Sequence, residues 1–258
     1  MAIVRFGTLR FDADLVAFDK DGTLIDFEFM WGRVAVTWVE HLTPNPADRE
    51  LRQELFRSMG YDPQRQWTDP QSPLAMATTG QLQTIAADVL YRFGVPWPEA
   101  EDRARLAVQA GAELPLPSLV RPAGDVLGLV EKLKGAGVRV AVVTTDDRDA
   151  TEETLHMLGI AHLVDHLVCG DDGVPSKPAP DMLLATLRRL GAEAGRTAVV
   201  GDTVADMLMA QRAGAGLRVA VLTGAGERAL LSGHADVVLG SIDEIAVVGP
   251  PGKRTDRA

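Results

Sequence analysis

This chain carries the stretch Leu15-Val16-Ala17-Phe18-Asp19-Lys20-Asp21-Gly22-Thr23, in which two carboxylates directly follow an apolar run. The run 15–18 predicts a short buried strand. Asp19 and Asp21 lie two residues apart at the end of that strand, so their side chains project toward the same side. Two carboxylates in one site repel each other, and both stay ionised only if a cation lies between them. Because Mg²⁺ binds one or two carboxylates together with phosphate oxygens, the stretch indicates phosphate chemistry.

The composition is that of an ordinary globular protein, since 46% of the 258 residues are apolar and 24% are charged. This length allows one large domain or a core with an inserted domain. The single cysteine fits a reducing compartment, and we find neither a signal peptide nor an apolar stretch long enough to span a membrane, so we expect a cytoplasmic protein. The net charge of −10 argues against nucleic acid or an anionic membrane as partner, but not against a small phosphorylated metabolite.

From about residue 120 onward, short apolar runs alternate with segments of helical apolar spacing. The predicted strands are 139–144, 166–169, 197–201, 218–222 and 235–239, and the predicted helices are 123–137, 149–158, 179–190 and 204–213. This alternation indicates an α/β fold, with a Rossmann-like parallel sheet and helices on both of its faces. Ligands of such sheets bind beyond the carboxyl ends of the strands. The polar residues predicted at those ends are Asp19, Thr144, Asp171 and Asp202.

The section 27–120 differs from the rest, because it is rich in helix formers and has no long β-branched run. Its prolines separate four predicted helices, at 29–41, 47–59, 79–93 and 99–112. We therefore predict that 27–120 forms an inserted all-α cap domain, and that 1–26 and 121–248 together form the catalytic core. At the chain ends, we expect a short hairpin over 3–11 and a disordered tail over 249–258.

Polar residues after the second strand and in a later loop are candidate phosphate ligands. Thr144 and Thr145 close the strand 139–144, where a hydroxyl and backbone amides can hold a phosphate oxygen; threonine is, however, also common in strands for its own sake. Lys177 precedes Pro178 and is therefore extended just ahead of a helix. There its ammonium can offset the carboxylates and bind phosphate, whereas a solvated surface lysine is the alternative.

Two aspartates follow the apolar strand 197–201. Asp202 can complete a metal site with Asp19, and it can also cap the following helix. Asp206 lies one turn further along on the same side, where it can act through a water or orient Lys177. The histidines are scattered, so a histidine-based metal site is not expected, and the run 224–226 lacks the spacing of a dinucleotide fingerprint.

Taken together, these motifs resemble those of the haloacid dehalogenase superfamily, in their order and rough spacing, from Leu15 to about Val247. The motifs are Asp19-x-Asp21-Gly22-Thr23, Thr144 at a strand end, Lys177-Pro178 and Gly201-Asp202-x-x-x-Asp206. The helical insertion between the first two motifs is similar to the cap of the phosphoglycolate phosphatase and β-phosphoglucomutase branch.

This resemblance implies a role for each motif residue. Asp19 would be the nucleophile that forms an aspartyl-phosphate, and Asp21 would be first the general acid and then the base. Thr144 and Lys177 would bind the phosphoryl oxygens. The implied cofactor is Mg²⁺, bound by Asp19, by the backbone carbonyl of Asp21 and by Asp202. Asp206 would support the metal or orient the lysine.

The predicted function is thus a Mg²⁺-dependent phosphatase for a small, phosphoglycolate-like phosphomonoester. Hydrolytic dehalogenation is disfavoured because that chemistry does not need Asp21, and phosphonate hydrolysis because the section 27–120 has no lysine for a Schiff base. A phosphomutase keeps the same core motifs and stays open, as does a non-catalytic phosphate-binding module. Arg33 and Arg121 are candidate substrate contacts, and a monomer and a homodimer are equally compatible with the sequence.

Overall fold

The computed structural model describes residues 2–249 of the chain. Its strands are β1 (Ala2–Phe6), β2 (Leu9–Ala13), β3 (Leu15–Phe18), β4 (Tyr61–Asp62), β5 (Trp67–Thr68), β6 (Arg139–Val143), β7 (His166–Val168), β8 (Thr197–Gly201), β9 (Leu217–Val221), β10 (Val237–Leu239) and β11 (Ile245–Gly249). Its α-helices are α1 (Phe27–Leu42), α2 (Arg49–Met59), α3 (Pro73–Met76), α4 (Thr79–Arg92), α5 (Trp97–Ala112), α6 (Val126–Gly135), α7 (Arg148–Met157), α8 (Asp181–Leu190), α9 (Val204–Ala213) and α10 (Arg228–Leu231).

Six of the strands form a parallel sheet in the order β10-β9-β8-β3-β6-β7, which confirms the predicted sheet. β3 lies in its middle, where Leu15 is paired with Arg139 of β6 and with Thr197 of β8. All four residues of β3 are buried, as expected of a parallel strand covered on both faces. The carboxyl ends of β3, β6 and β8 therefore lie next to one another at one edge of the sheet.

Helices cover both faces of the sheet, as predicted. Side chains of β3 alternate between the faces, because successive residues of a strand point to opposite sides. Leu15 and Ala17 belong to the apolar cluster that includes residues of α8 and α9. Val16 and Phe18 belong to the larger cluster on the other face, which includes residues of α6 and of β1.

A second, three-stranded antiparallel sheet has the order β11-β1-β2. The hairpin predicted for 3–11 is confirmed, since β1 pairs with β2 around the turn at Gly7 and Thr8. β11 was not among the predicted strands, and it pairs with β1 from the opposite end of the chain. Gly249, the first residue of the predicted tail, closes β11, and the remainder of that tail lies outside the described residues.

The section between β3 and α6 is helical, and α1, α2, α4 and α5 agree with the predicted helices to within a few residues. It departs from the all-α expectation in a two-stranded ribbon of β4 and β5, and it also contains the short helix α3, which was not predicted. α1 begins after Asp26, whose Oδ1 accepts a hydrogen bond of 2.9 Å from the Phe29 amide. Among residues 2–249, no helix combines the length and the apolar character that crossing a membrane requires.

Candidate active site

The site begins where β3 ends, at the predicted pair of carboxylates. The Asp19 amide donates to the carbonyl of Val200 in β8, so the backbone still follows the sheet at this residue. Gly22 then turns the chain with a φ of +81°, which is favourable only for glycine. A Cβ at Gly22 would also lie 2.4 Å from Oδ2 of Asp202, so the glycine allows the two strand ends to approach each other.

Lys177 reaches the centre of the site from the loop before α8. Its side chain is buried, and its Nζ lies 2.6 Å from Asp19 Oδ1 and 2.6 Å from Asp206 Oδ1. Burial disfavours the charged ammonium, but the two carboxylates outweigh this effect and raise the pKa of Lys177. Lys177 is therefore an ammonium in the site, and not the solvated surface lysine that was the alternative.

Asp206 is held by the start of α9. Its Oδ2 accepts hydrogen bonds from the amide and the hydroxyl of Thr203, at 3.0 and 2.6 Å, in a capping box. The helix is thus capped by Thr203 and not by Asp202, which had been the alternative reading of that aspartate. Since one oxygen of Asp206 binds Thr203 and the other faces Lys177, the geometry favours the lysine-orienting role for Asp206.

Asp202 provides the atom that best fits a metal. It is 1% exposed, and its Oδ2 accepts a 2.9 Å hydrogen bond from the Ala225 amide. Its Oδ1 is buried and has no hydrogen-bond partner among residues 2–249. Ligand atoms of Asp19, Asp202 and Asp206 all lie within 4.8 Å of one another. A buried carboxylate oxygen without a donor, in a cluster of oxygen ligands, matches what a hard divalent cation binds.

The charges of the site also favour the binding of a further cation. Burial raises the pKa of Asp19 to about 7, although Lys177 acts in the opposite direction. Burial, together with Asp19 and Asp206, likewise raises the pKa of Asp202 well above its ordinary value. One ammonium therefore does not balance three buried carboxylates, and a divalent cation among them would lower both pKa values.

Lys20 was not predicted as a site residue from the sequence, but in the structure it contacts Asp21 at the edge of the site. Its side chain is completely buried, and its Nζ lies 2.7 Å from Asp21 Oδ1 and 2.9 Å from Asp146 Oδ2. Burial raises the pKa of Asp21, and Lys20 acts against this increase. The sequence signal that could have identified Lys20 is its position between two aspartates at the end of a buried strand. Its partner Asp146 comes from the loop after β6, which local patterns do not pair with it.

The two threonines after β6 occupy different environments. Thr145 lines the cavity that contains Asp19, Asp21 and Lys177. Thr144 is buried and is not among the described residues that line this cavity, and its Oγ1 accepts a 3.1 Å hydrogen bond from the Asp146 amide. Asp171, expected at the same edge of the sheet, is not in this lining either, and its Oδ1 accepts a 3.0 Å hydrogen bond from the Arg148 amide.

The inserted section covers the carboxylates. The cavity around them measures about 30 Å³, which is room for one or two waters. Its walls on the side of the insertion are α1, through Phe27 and Trp31, and the segment Leu74–Ala77 around α3. Asp19 is consequently only 8% exposed. We therefore expect part of this covering to move when a substrate enters.

Comparison with known proteins adds the family to this geometry. Residues 13–214 match the model of the family described as haloacid dehalogenase-like hydrolase. The chain belongs to this hydrolase family. The match contains all four motifs and extends over most of the described chain, so the resemblance found in the sequence is confirmed.

Individual relatives of this haloacid dehalogenase-like hydrolase are named as phosphatases. It is 32% identical over 200 residues to a probable phosphatase, IndB, of Dickeya dadantii, covering 78% of this chain and 77% of the relative. It is 28% identical over 240 residues to a phosphoglycolate phosphatase of Neisseria meningitidis, covering 89% and 91%. A crystal structure titled as a "predicted phosphoglycolate phosphatase" of Haemophilus somnus is similar with a TM-score of 0.69, at 18% identity and with 89% and 95% coverage, which supports the fold.

Proposed function

We propose that this hydrolase is a Mg²⁺-dependent phosphatase that cleaves a small phosphomonoester through an aspartyl-phosphate on Asp19. The observation that carries the proposal is the buried cluster of Asp19, Lys177 and Asp206. It lies next to the Oδ1 of Asp202, which has no hydrogen-bond partner in the described part of the chain. The names of the relatives point to the same chemistry.

Asp19 is suited to the attack on phosphorus because a carboxylate needs no base once it is ionised. Its Oδ1 is fixed by Lys177, which leaves Oδ2 to form the bond to phosphorus while the ester oxygen departs. Lys177 at the same time supplies positive charge to the oxygens of the transferred group. The Thr145 side of the cavity is the part of the phosphate site that we assign to substrate oxygens, and Thr144 supports the loop behind it.

Asp21 is assigned the proton transfers. It gives a proton to the departing alkoxide and later takes one from the water that attacks the aspartyl-phosphate. Burial raises its pKa, which favours the protonated form that this first step needs. Lys20 holds the carboxyl of Asp21 in place through one ion pair, and Asp146 fixes Lys20 through another.

The residues that would hold Mg²⁺ are Asp19 and Asp202 through their side chains and Asp21 through its backbone carbonyl, with Asp206 behind Lys177. When bound, the ion supplies charge neutralisation for the phosphoryl group and for the carboxylates. We further propose that 27–120 acts as a cap on a core of 1–26 and 121–248, because its α1 and α3 cover the carboxylates. A cytoplasmic location and a monomeric or homodimeric state stay predictions from the sequence.

The test is phosphate release from a panel of phosphomonoesters by the wild type and by Asp19→Asn, in Mg²⁺ and in chelator. We expect turnover in Mg²⁺ that chelation and the substitution each abolish. Metal-independent turnover, or an active Asp19→Asn protein, would contradict the proposal. If a sugar phosphate is isomerised and no phosphate is released, the phosphomutase alternative is correct instead.

A further inference from the structure

A second cavity lies directly beside the proposed phosphate site. It measures about 370 Å³, whereas the cavity around the carboxylates measures about 30 Å³. Trp31 lines both, so the two cavities share a wall. The second cavity lies between α1, α5 and the segment 114–119 on one side and the start of α7 on the other. We call it the apolar chamber. Its volume falls within the range of pockets that bind small organic ligands.

The wall of the apolar chamber on the side of the insertion is hydrophobic and aromatic. Its main contributors are Met30, Trp31, Val34, Trp38, Leu116 and Leu119. The rings of Trp31 and Trp38 meet edge to face, with 6.3 Å between their centroids and an angle of 85°. Trp38 can lie this close to α5 because position 111 is a glycine, where a Cβ would be 2.1 Å from the indole nitrogen. Such a surface gains free energy by burying an apolar or aromatic group.

The charged residues of the apolar chamber all have the same sign. Asp146, Asp147 and Glu153 line it from the core, and the described lining contains no lysine, arginine or histidine. Asp146 is neutralised by Lys20, but Asp147 and Glu153 form no ion pair among residues 2–249. A negatively charged group would therefore meet repulsion without a compensating cation.

The arginines that the sequence suggested for substrate binding lie elsewhere. Arg33 and Arg121 line a different cavity, where both stack on the ring of Phe29. Arg33 also donates a 2.7 Å hydrogen bond to the Ser118 carbonyl, and Arg121 pairs with Asp26. Neither guanidinium is thus available to a carboxylate in the apolar chamber.

From this combination we infer that the apolar chamber receives the leaving group of the substrate, and that this leaving group is an apolar, preferably aromatic alcohol without negative charge. The inference rests on the proposed phosphatase function and narrows its substrate class. It also opposes the phosphoglycolate-like substrate predicted from the sequence, because glycolate is small and carries a carboxylate.

The first test compares two alkyl esters, 2-phenylethyl phosphate and phosphoglycolate, at saturating Mg²⁺. We expect kcat/KM to be at least tenfold higher for 2-phenylethyl phosphate. If phosphoglycolate is cleaved equally well or better, the inference is wrong, while the phosphatase function stands.

The second test fills the apolar chamber. Ala112 lines it at the end of α5, and Ala110 lies two residues earlier on the same helix, outside the lining. We expect Ala112→Leu to lower kcat/KM for 2-phenylethyl phosphate at least fivefold and to leave phosphoglycolate within twofold. Ala110→Leu is the matched control and should change neither. Equal loss for both substrates in Ala112→Leu would overturn the inference.

The third test reverses one charge. Glu153→Lys should raise kcat/KM for phosphoglycolate severalfold, because it introduces the missing cation into the apolar chamber. Glu152→Lys changes the net charge equally, on a neighbouring residue outside that lining, and should have no such effect. An equal response of the two variants would mean that the chamber does not contact the leaving group.

A binding measurement separates this inference from the phosphatase proposal. The probes are 3-phenylpropylphosphonate and 3-phosphonopropionate, uncleavable counterparts of the two esters, titrated calorimetrically with Mg²⁺ present. Preferential binding of the phenyl compound, weakened by Ala112→Leu, supports the apolar chamber even if no ester is hydrolysed. Preference for the carboxylate compound contradicts it.

Discussion

At the scale of single residues, Lys20 connects the strand end to the loop after β6. Its ammonium is completely buried between Asp21 and Asp146, so it fixes the carboxyl that we assign to proton transfer. Lys20→Met leaves Asp146 buried and unpaired, a change that costs about 3–5 kcal/mol in other proteins. Asp21 loses its partner as well, but it is less deeply buried than Asp146. The double variant Lys20→Met/Asp146→Asn removes the more deeply buried unpaired charge and should recover much of that stability.

Activity separates the positioning role of Lys20 from a merely structural one. We expect the double variant to lose at least tenfold more activity toward an alkyl phosphate than toward p-nitrophenyl phosphate, whose leaving group departs without a proton. Steady-state rates on both esters provide the measurement. A parallel loss on the two esters would show that Lys20 serves stability alone.

The buried carboxylates also make stability depend on pH and on metal. The folded-state pKa of Asp19, about 7, and that of Asp202 lie above their ordinary value of 3.8, so the folded state retains protons that the unfolded chain releases. Their contribution to stability is therefore complete below about pH 4 and is lost as the pH rises through the raised values. We expect the metal-free protein to lose stability from pH 5 to pH 8.

Mg²⁺ should reverse this loss by binding the ionised carboxylates. At a hundredfold excess over its dissociation constant we expect the melting temperature at pH 8 to rise by roughly 5–10 °C, and by less at pH 5. Asp202→Asn should remove most of the metal effect and flatten the pH dependence. Thermal unfolding with and without chelator measures both, and an equal Mg²⁺ effect in Asp202→Asn would contradict the assignment of the metal ligands.

At the scale of elements, the segment around α3 covers the carboxylates. Leu74–Ala77 lines the narrow cavity around the carboxylates, in which Asp19 is only 8% exposed. We therefore expect this segment to open and to close again over bound ligand. Hydrogen exchange should show protection of 72–78 when vanadate and Mg²⁺ bind, with little change in α8. Binding of vanadate without any change in 72–78 would show that access runs along another path.

The elements also show how far local patterns reach. The strands of the parallel sheet and most helices were predictable, because each carries its own run or spacing of apolar residues. β11 was missed because its partner is β1, at the other end of the chain, and no local signal records that pairing. β4 and β5 are two residues each, too short for any periodicity to appear.

At the scale of the whole molecule, the candidate site was predictable where each residue stands at a strand end. Asp19 and Asp202 meet because the parallel sheet brings those ends together, and Lys177 reaches Asp19 from the loop before α8. The apolar chamber was not predictable, since it combines α1, α5, a later segment and α7, which are joined only by the packing of the insertion on the core. Phosphate chemistry is thus encoded locally, whereas the choice of leaving group depends on tertiary structure.

The central claim is that Asp19 carries the phosphoryl group during turnover. We would mix the enzyme with Mg²⁺ and a cleaved ester, quench in acid within milliseconds and map the phosphorylated peptide by mass spectrometry. The account predicts one phosphoryl group on the peptide containing residues 15–23, increased in Asp21→Asn and absent in Asp19→Asn. Two results would contradict the account. One is phosphate release with no phosphorylated enzyme in the wild type or in Asp21→Asn, and the other is a phosphoryl group on another residue.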